Sequence, residues 1–358
     1  MKKSLLALAA LGALAGAASA QSSVTLFGVV DVNGRWLNNN SVKQYSLSQD
    51  GLQSSRLGFR GSEDMGGGLR AGFWLEGTIN PDTGTQPLAS VNGGLNNAAG
   101  TFTRRATVSL SNEWGEARLG RDKTATYLNT EIFDPFGDAG IGAASNLTTR
   151  APPVPTGGGY STEKRANNMV AYFLPAGIAG GLYGQVQVAA GENVNGQKYL
   201  GARLGYASGP FDVAVAYGQT EVLATTGTNL ENWNVGGSWK FGFMVLSGFY
   251  GSQKIENDKQ DNWYIGASAP LGLWRIRASW GQVERSGSST IEGQKADQFA
   301  VGAVYDLSKR TALYGTWSGI NNKGGASFVV GSLMNVPAGG AAKNADSQGL
   351  EFGIRHSF

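Results

Sequence analysis

Arginines an even number of residues apart, with apolar residues at the odd positions, put their guanidinium groups on one face of an extended chain. Arg56 and Arg60 stand this way around Leu57 and Phe59. Their chemistry is electrostatic. A guanidinium stays charged at any physiological pH and attracts or steers anions without breaking a bond. Arg104 and Arg105 are adjacent, so an unbroken strand turns only one inward. Parity with Thr107 and Ser109 favours Arg105, and a bulge at the strand end would exchange the two. Arg165 stands just before Ala166-Asn167-Asn168, at a loop–strand boundary.

The acids form the other half of the pattern. Glu76 shares parity with Gly72 and Trp74, which places it on the face of the arginines. Glu131, Asp134 and Asp138 lie in a stretch, 124–149, that contains no Lys or Arg. An acidic segment opposite a basic wall would create a transverse field, orienting dipolar solutes and hindering apolar ones. The same acids have a plainer use, in facing water or pinning their own segment.

Composition removes most other chemistry. The 358 residues include no Cys and one His, His356, three residues from the end. Disulfides, thiolate metal sites and a cysteine nucleophile are excluded, and a His-rich metal centre with them. No phosphate loop, EF-hand or His-Glu-x-x-His motif occurs, so neither a cofactor nor an enzyme activity is expected. Gly is 55 of 358 and charged residues are 15%, a glycine-rich and charge-poor chain.

The elements that would position these side chains are strands. Residues 1–20 read as a secretory signal peptide, with basic Lys2-Lys3, an apolar run from Leu5 to Ala17 and the cleavage triplet Ala18-Ser19-Ala20. Residues 21–358 then form one domain. Without Lys2 and Lys3, 27 basic side chains face 26 acidic ones, which gives no reason to expect nucleic acid as a partner. No later apolar run approaches the length of a transmembrane helix. Instead, apolar and polar residues alternate. Leu350, Phe352, Ile354, His356 and Phe358 share one face of the final segment, with Gly349, Glu351, Gly353, Arg355 and Ser357 on the other.

Sixteen such segments can be counted, from 24–35 to 348–358, many near the length of a tilted membrane-crossing strand. Their connectors alternate between short and long. The long set is 36–53, 80–101, 123–166, 221–231, 286–295 and 320–347. Short turns at one end and long loops at the other, with an even strand count, describe an outer-membrane barrel. The expected fold is all-β, a 16-stranded antiparallel transmembrane barrel. Its longest connector, 123–166, would fold into the lumen as a constriction loop. Aromatics near strand ends, including Trp114, Trp233, Trp239, Trp263, Trp274, Tyr172, Tyr183 and Tyr206, are expected in the interfacial girdle.

Taken in order, Ser23–Asp31, Ser55–Asp64, Gly67–Glu76, Arg118–Arg121, Arg165–Asn168, Leu307–Gly315 and Gly353–Phe358 resemble the trimeric porins of the Gram-negative outer membrane, β-proteobacterial type. The resemblance spans essentially all of the chain after the signal peptide. It implies a homotrimer in the cell outer membrane, in contact with membrane lipid and lipopolysaccharide. It also implies passive diffusion of small hydrophilic solutes and inorganic ions. Terminal Phe358 looks like the signal read by the outer-membrane assembly machinery. The family places one constriction arginine within the Arg104–Arg105 pair, and Arg165 matches another wall arginine. Arginine rings favour anions and carboxylate rings favour cations. A mild anion preference is therefore expected, diluted by the loop acids. The alternatives are a channel selective for organic anions or sugars, an outer-membrane enzyme and a periplasmic β-sandwich.

Overall fold

The structure, a computed structural model, describes residues 23–40, 42–85, 88–91, 96–148, 162–175, 177–222, 228–331 and 342–358. Residues 1–20, which the sequence reads as a signal peptide, lie outside the described residues.

The chain runs through β1 (Ser23–Asn39), β2 (Val42–Gln49), β3 (Arg56–Gly66), β4 (Leu69–Thr78) and a small separate hairpin, β5 (Leu88–Val91) with β6 (Asn96–Ala99). β7 (Arg105–Asn112) and β8 (Gly115–Lys123) follow, then helices α1 (Ala125–Phe133) and α2 (Ser145–Thr148). The rest is a meander: β9 (Arg165–Phe173), β10 (Leu182–Ala189), β11 (Tyr199–Ser208), β12 (Phe211–Glu221), β13 (Asn229–Phe241), β14 (Met244–Ile255), β15 (Asp258–Leu271), β16 (Trp274–Ser286), β17 (Lys295–Asp306), β18 (Thr311–Lys323) and β19 (Ser347–Ser357).

Seventeen strands join one antiparallel sheet. β2 pairs with Val32–Asn39 of β1, and β3 pairs with Ser23–Val29 of the same strand. The two therefore share one flank of β1, so the circuit has 16 positions. It closes where β19 pairs with β1, Val29 opposite Ser357. Phe358 completes that seam: its N–H donates to the Gly28 carbonyl at 3.1 Å, and the Gly28 N–H donates back at 3.0 Å. Closure leaves no open sheet edge for lipid to meet.

The burial pattern is inverted relative to a soluble protein. In β10, Val186 and Val188 are 56% and 55% exposed, whereas Gln187 between them is 1% exposed. Valines on the outer face suit hydrocarbon, and amides on the inner face suit a hydrated lumen. Among the described residues no helix is long and apolar enough to cross a membrane, which says nothing against crossing by strands.

Three expectations are corrected. Connector 36–53 is not one long loop. The 24–35 strand extends to Asn39 and turns at Asn40, whose φ is +50°, directly into β2. Asn tolerates that left-handed geometry, so an Asn-rich stretch that reads as loop is a tight hairpin. At the other end, β3 runs to Gly66 through a bulge between Asp64 and Gly66, leaving only Gly67-Gly68 as the turn. Finally, Tyr183 is not a girdle residue. It shares parity with buried Gln185 and Gln187 and donates to Asp212 Oδ1 at 2.6 Å on the inner side.

Candidate lumen site

The described part of segment 124–164 packs on inward-facing residues of β11 to β19. Asn129, fully buried in α1, donates to Asn234 Oδ1 at 2.8 Å and to the Ala214 carbonyl at 3.2 Å. It accepts from Arg203 Nε at 2.7 Å. Further along, the Gly142 and Ala143 carbonyls accept from Gln298 Nε2, and the Ile141 N–H donates to Glu351 Oε1 at 3.1 Å. Glu351 itself pairs with Arg35 at 3.0 Å. Small wall residues make room: Phe133 covers Gly236, Pro135 covers Gly266 and Phe136 lies beside Gly302.

Opposite this segment, strands β3, β4, β7, β8 and β9 supply charge. Arg56, Trp74, Glu76, Arg104, Arg105, Arg118, Asp122, Lys123 and Arg165 line one cavity of about 310 Å³. Arg104 Nε donates to Glu76 Oε1 at 2.6 Å, and Arg56 approaches the same oxygen at 3.9 Å. Trp74 Nε1 donates to Glu76 Oε2 at 2.9 Å. Arg105 lies over the Trp74 ring, 4.6 Å from its centroid, and 3.5 Å from Asp122. Both members of the adjacent pair therefore reach the same space. β7 begins at Arg105, and Arg104 belongs to the irregular lead-in, so strict alternation does not bind it. Arg165 reaches the Tyr127 ring of α1 at 5.7 Å.

Arg60 does not line that cavity but shares the Trp74 ring with Arg105 and lines the neighbouring pocket with Arg105 and Arg118. It sits between the Phe27 and Trp74 rings, at 5.3 Å and 5.2 Å, one step nearer the short-turn end.

The three loop acids separate. Glu131 pairs with Lys123 and stands at the edge of the basic cluster. Asp134 does not face the wall arginines; its carboxylate accepts the N–H groups of Phe136, Asp138 and Ala144 and so holds its own segment in shape. Burial outweighs those bonds and pushes its pKa up to about 6. Asp138 is bound by Tyr127 and, at 3.1 Å, by Lys164. Burial raises its pKa, but Lys164, Ser145 and Tyr127 prevail and hold it below the usual carboxylate value. Glu163, beside them and accepting from Gln253 at 3.1 Å, is pushed up by burial to about 7.

Arg118, Asp122 and Lys123 are members that the alternation did not single out. Arg118 Nη1 donates to Asp122 Oδ2 at 2.6 Å, and the strand slips register between Gly120 and Asp122. The extra residue lies on β9, where Asn168 has φ +52°, and Asp122, four residues after Arg118, faces inward by plain alternation. The even spacing of Arg118 and Asp122 on the face opposite Leu119 is the sequence signal for the pair.

A model of the Gram-negative porin family matches residues 7–325. Over 374 aligned residues the chain is 36% identical to outer membrane porin protein 32 of Delftia acidovorans, covering all of both chains. It is 29% identical to an outer membrane porin protein of Bordetella pertussis, again over the full length of both. Among solved structures, an anion-selective porin from Comamonas acidovorans superposes with a TM-score of 0.82 at 34% identity, over 94% of this chain and 100% of that one. OmpT of Vibrio cholerae, in a trimer form, shares the fold at 12% identity, with a TM-score of 0.67 over 94% of this chain and 99% of that one.

Proposed function

The chain belongs to the Gram-negative porins, non-catalytic channels of the outer membrane, and from that premise we propose how its lumen sorts solutes. The described part of segment 124–164 narrows the barrel, and small hydrophilic solutes pass between it and the basic wall. One observation carries the charge preference. The cavity at this level is lined by six basic residues and two acidic ones. Each basic side chain beyond the paired ones lowers the energy of a passing anion, and the low-dielectric wall strengthens the effect. The preference is for anions and is mild, because Glu76 and Asp122 neutralise part of the wall.

Arg56, Arg104, Arg105 and Arg165 form the constriction, with Glu76 and Glu131 as the acids that face them. Asp134 and Asp138 serve as the braces of the loop, and Arg60 marks the short-turn side of the passage. Three copies assemble in the membrane after residues 1–20 are removed, with Phe358 as the assembly signal. The Comamonas relative, described as anion-selective, supports the sign of the preference.

Liposome swelling tests this reading with neutral, anionic and cationic solutes of matched size. Faster entry of the anion than of the cation is expected. Entry in order of size alone, or a faster cation, would contradict it.

A further inference from the structure

Arg165 is a charge at the constriction that no acid restrains. Among the described residues it has no ion pair, and its buried Nε has no hydrogen-bond partner. Glu131 and Glu76 act on it only from beyond ion-pairing distance, and both already hold other cations, Lys123 and Arg104. Arg104 acts on it as a like charge. Across the β8–β9 ladder its direct partner is Lys123, a second like charge. Cations opposite each other on neighbouring strands repel. Lys164 precedes it in the chain and adds a third.

The Tyr127 ring stands among these cations. Lys164 Nζ is 5.0 Å from its centroid, Arg165 Cζ 5.7 Å and Lys123 Nζ 6.0 Å. All three are within range of the electron-rich face of an aromatic ring. Helix α1 and its neighbours fix that ring. Glu131, one turn further along the same helix face, binds Lys123. The Tyr127 hydroxyl donates to Asp138, which binds Lys164 at 3.1 Å. Each lysine therefore has the ring and a carboxylate, whereas among the described residues Arg165 has the ring without one. Leu128, not Tyr127, lines the 310 Å³ cavity beside Arg165. Tyr127 lines a smaller one, of about 40 Å³, between α1 and β13–β15. The ring thus meets the guanidinium from the side away from the passage.

Two ways of holding a cation differ in the field they leave. A carboxylate holds it and cancels its charge, as Glu76 does for Arg104. An aromatic ring has no net charge, so it attracts a cation through its quadrupole and leaves the long-range field intact. We infer that Tyr127 is a specificity-determining residue of the pore: its ring fixes Arg165 at the constriction without neutralising it, so that passing anions meet the full charge. Tyr127 acts through Arg165 and is a positioning residue, with no contact to solute required. This role rests on the anion-sorting reading of the basic wall and places one determinant of selectivity on an uncharged side chain of the loop.

Zero-current potentials under a potassium chloride gradient test it, in the wild type, Tyr127→Phe, Tyr127→Leu, Arg165→Gln and the double variant Tyr127→Leu/Arg165→Gln. Heat-modifiable migration first establishes that each variant forms a barrel, and Tyr127→Met replaces Tyr127→Leu if the latter does not. Tyr127→Leu should lower the chloride-to-potassium permeability ratio about threefold, the weight of one cation–ring contact. Tyr127→Phe keeps the ring, loses the Asp138 bond and should rescue most of that loss. In the Arg165→Gln background, Tyr127→Leu should cause no further fall, because the two side chains act as one unit. An unchanged ratio in Tyr127→Leu would overturn the inference. Equal losses in Tyr127→Phe and Tyr127→Leu would also overturn it, assigning the effect to the Asp138 bond. So would an undiminished fall in the Arg165→Gln background, which would detach the ring from Arg165. The inference is read from differences between variants and the sorting of solutes from the sign in the wild type, so a failure of one is distinct from a failure of the other.

Discussion

Arg104 Nε meets Glu76 Oε1 at 2.6 Å, across the junction of β4 and β7, with Arg56 3.9 Å from the same oxygen. One carboxylate therefore restrains two guanidinium groups at the basic wall. It keeps them from splaying and cancels part of their field. Glu76→Gln should strengthen anion preference. A unit charge at about 4 Å is worth about 1 kcal/mol even in bulk water, so a several-fold rise in the chloride-to-potassium permeability ratio is expected. The rise should shrink at high salt, where screening is strong. An unchanged ratio at low salt would remove Glu76 from the constriction.

The arginines should not be equivalent. Arg105 has Asp122 at 3.5 Å, and Arg60 is stacked between two rings nearer the short-turn end. Neutralising Arg165, which has no ion pair among the described residues, should reduce chloride preference more than neutralising either of them. Zero-current potentials of Arg165→Gln, Arg105→Gln and Arg60→Gln check the order. Equal shifts would mean that the lumen responds to total charge rather than to charge at its narrowest level.

Asn129 ties α1 to the wall through Ala214, Asn234 and Arg203. Asn129→Leu leaves those groups buried without partners, at about 1–3 kcal/mol for each unsatisfied group. The variant should still form a barrel, visible as heat-modifiable migration on a denaturing gel. Its channel current should be noisier and should close at lower voltage. Wild-type noise with an intact barrel would show that α1 is held by packing alone.

Asp134 and Glu163 give the segment a pH dependence. Their folded-state pKa values, about 6 and about 7, lie above ordinary carboxylate values. The native state therefore binds more protons than the unfolded state between those limits. The resulting stabilisation is fully present near pH 4 and is lost as pH rises through 6 and 7. Amide hydrogen exchange at Phe136 and Ala144, corrected for the intrinsic rate at each pH, should show greater protection at pH 5 than at pH 8. Glu163→Gln should remove the upper part of that change. Stronger protection at pH 8 would reverse the sign of the argument.

Much of this architecture is legible in the sequence because a barrel writes its two faces into alternate residues. Val186, Gln187 and Val188 can be assigned from parity, as can inward Arg56 and Glu76. Parity with Gln185 also assigns Tyr183, whose place near a strand end misleads. Parity ends where the ladder is irregular. Arg104 turns inward because β7 has not yet begun, whereas Asp122, four residues after Arg118, still follows the alternation. The fates of Asp134 and Asp138 are set by partners distant along the chain or on the backbone. Asp138 meets Lys164, 26 residues away, and Asp134 meets the Ala144 N–H. No periodicity encodes such contacts, since the segment that makes them is folded by the wall around it.

The central claim is that the basic wall, rather than the loop acids, sets the sign of selectivity. The zero-current potential across a planar bilayer under a potassium chloride gradient tests it most directly. A potential of the sign that marks chloride as the more permeant ion, reduced in Arg104→Gln, is the predicted result. A potential that marks potassium as the more permeant ion would contradict the account and transfer control to Glu76, Glu131 and Asp122.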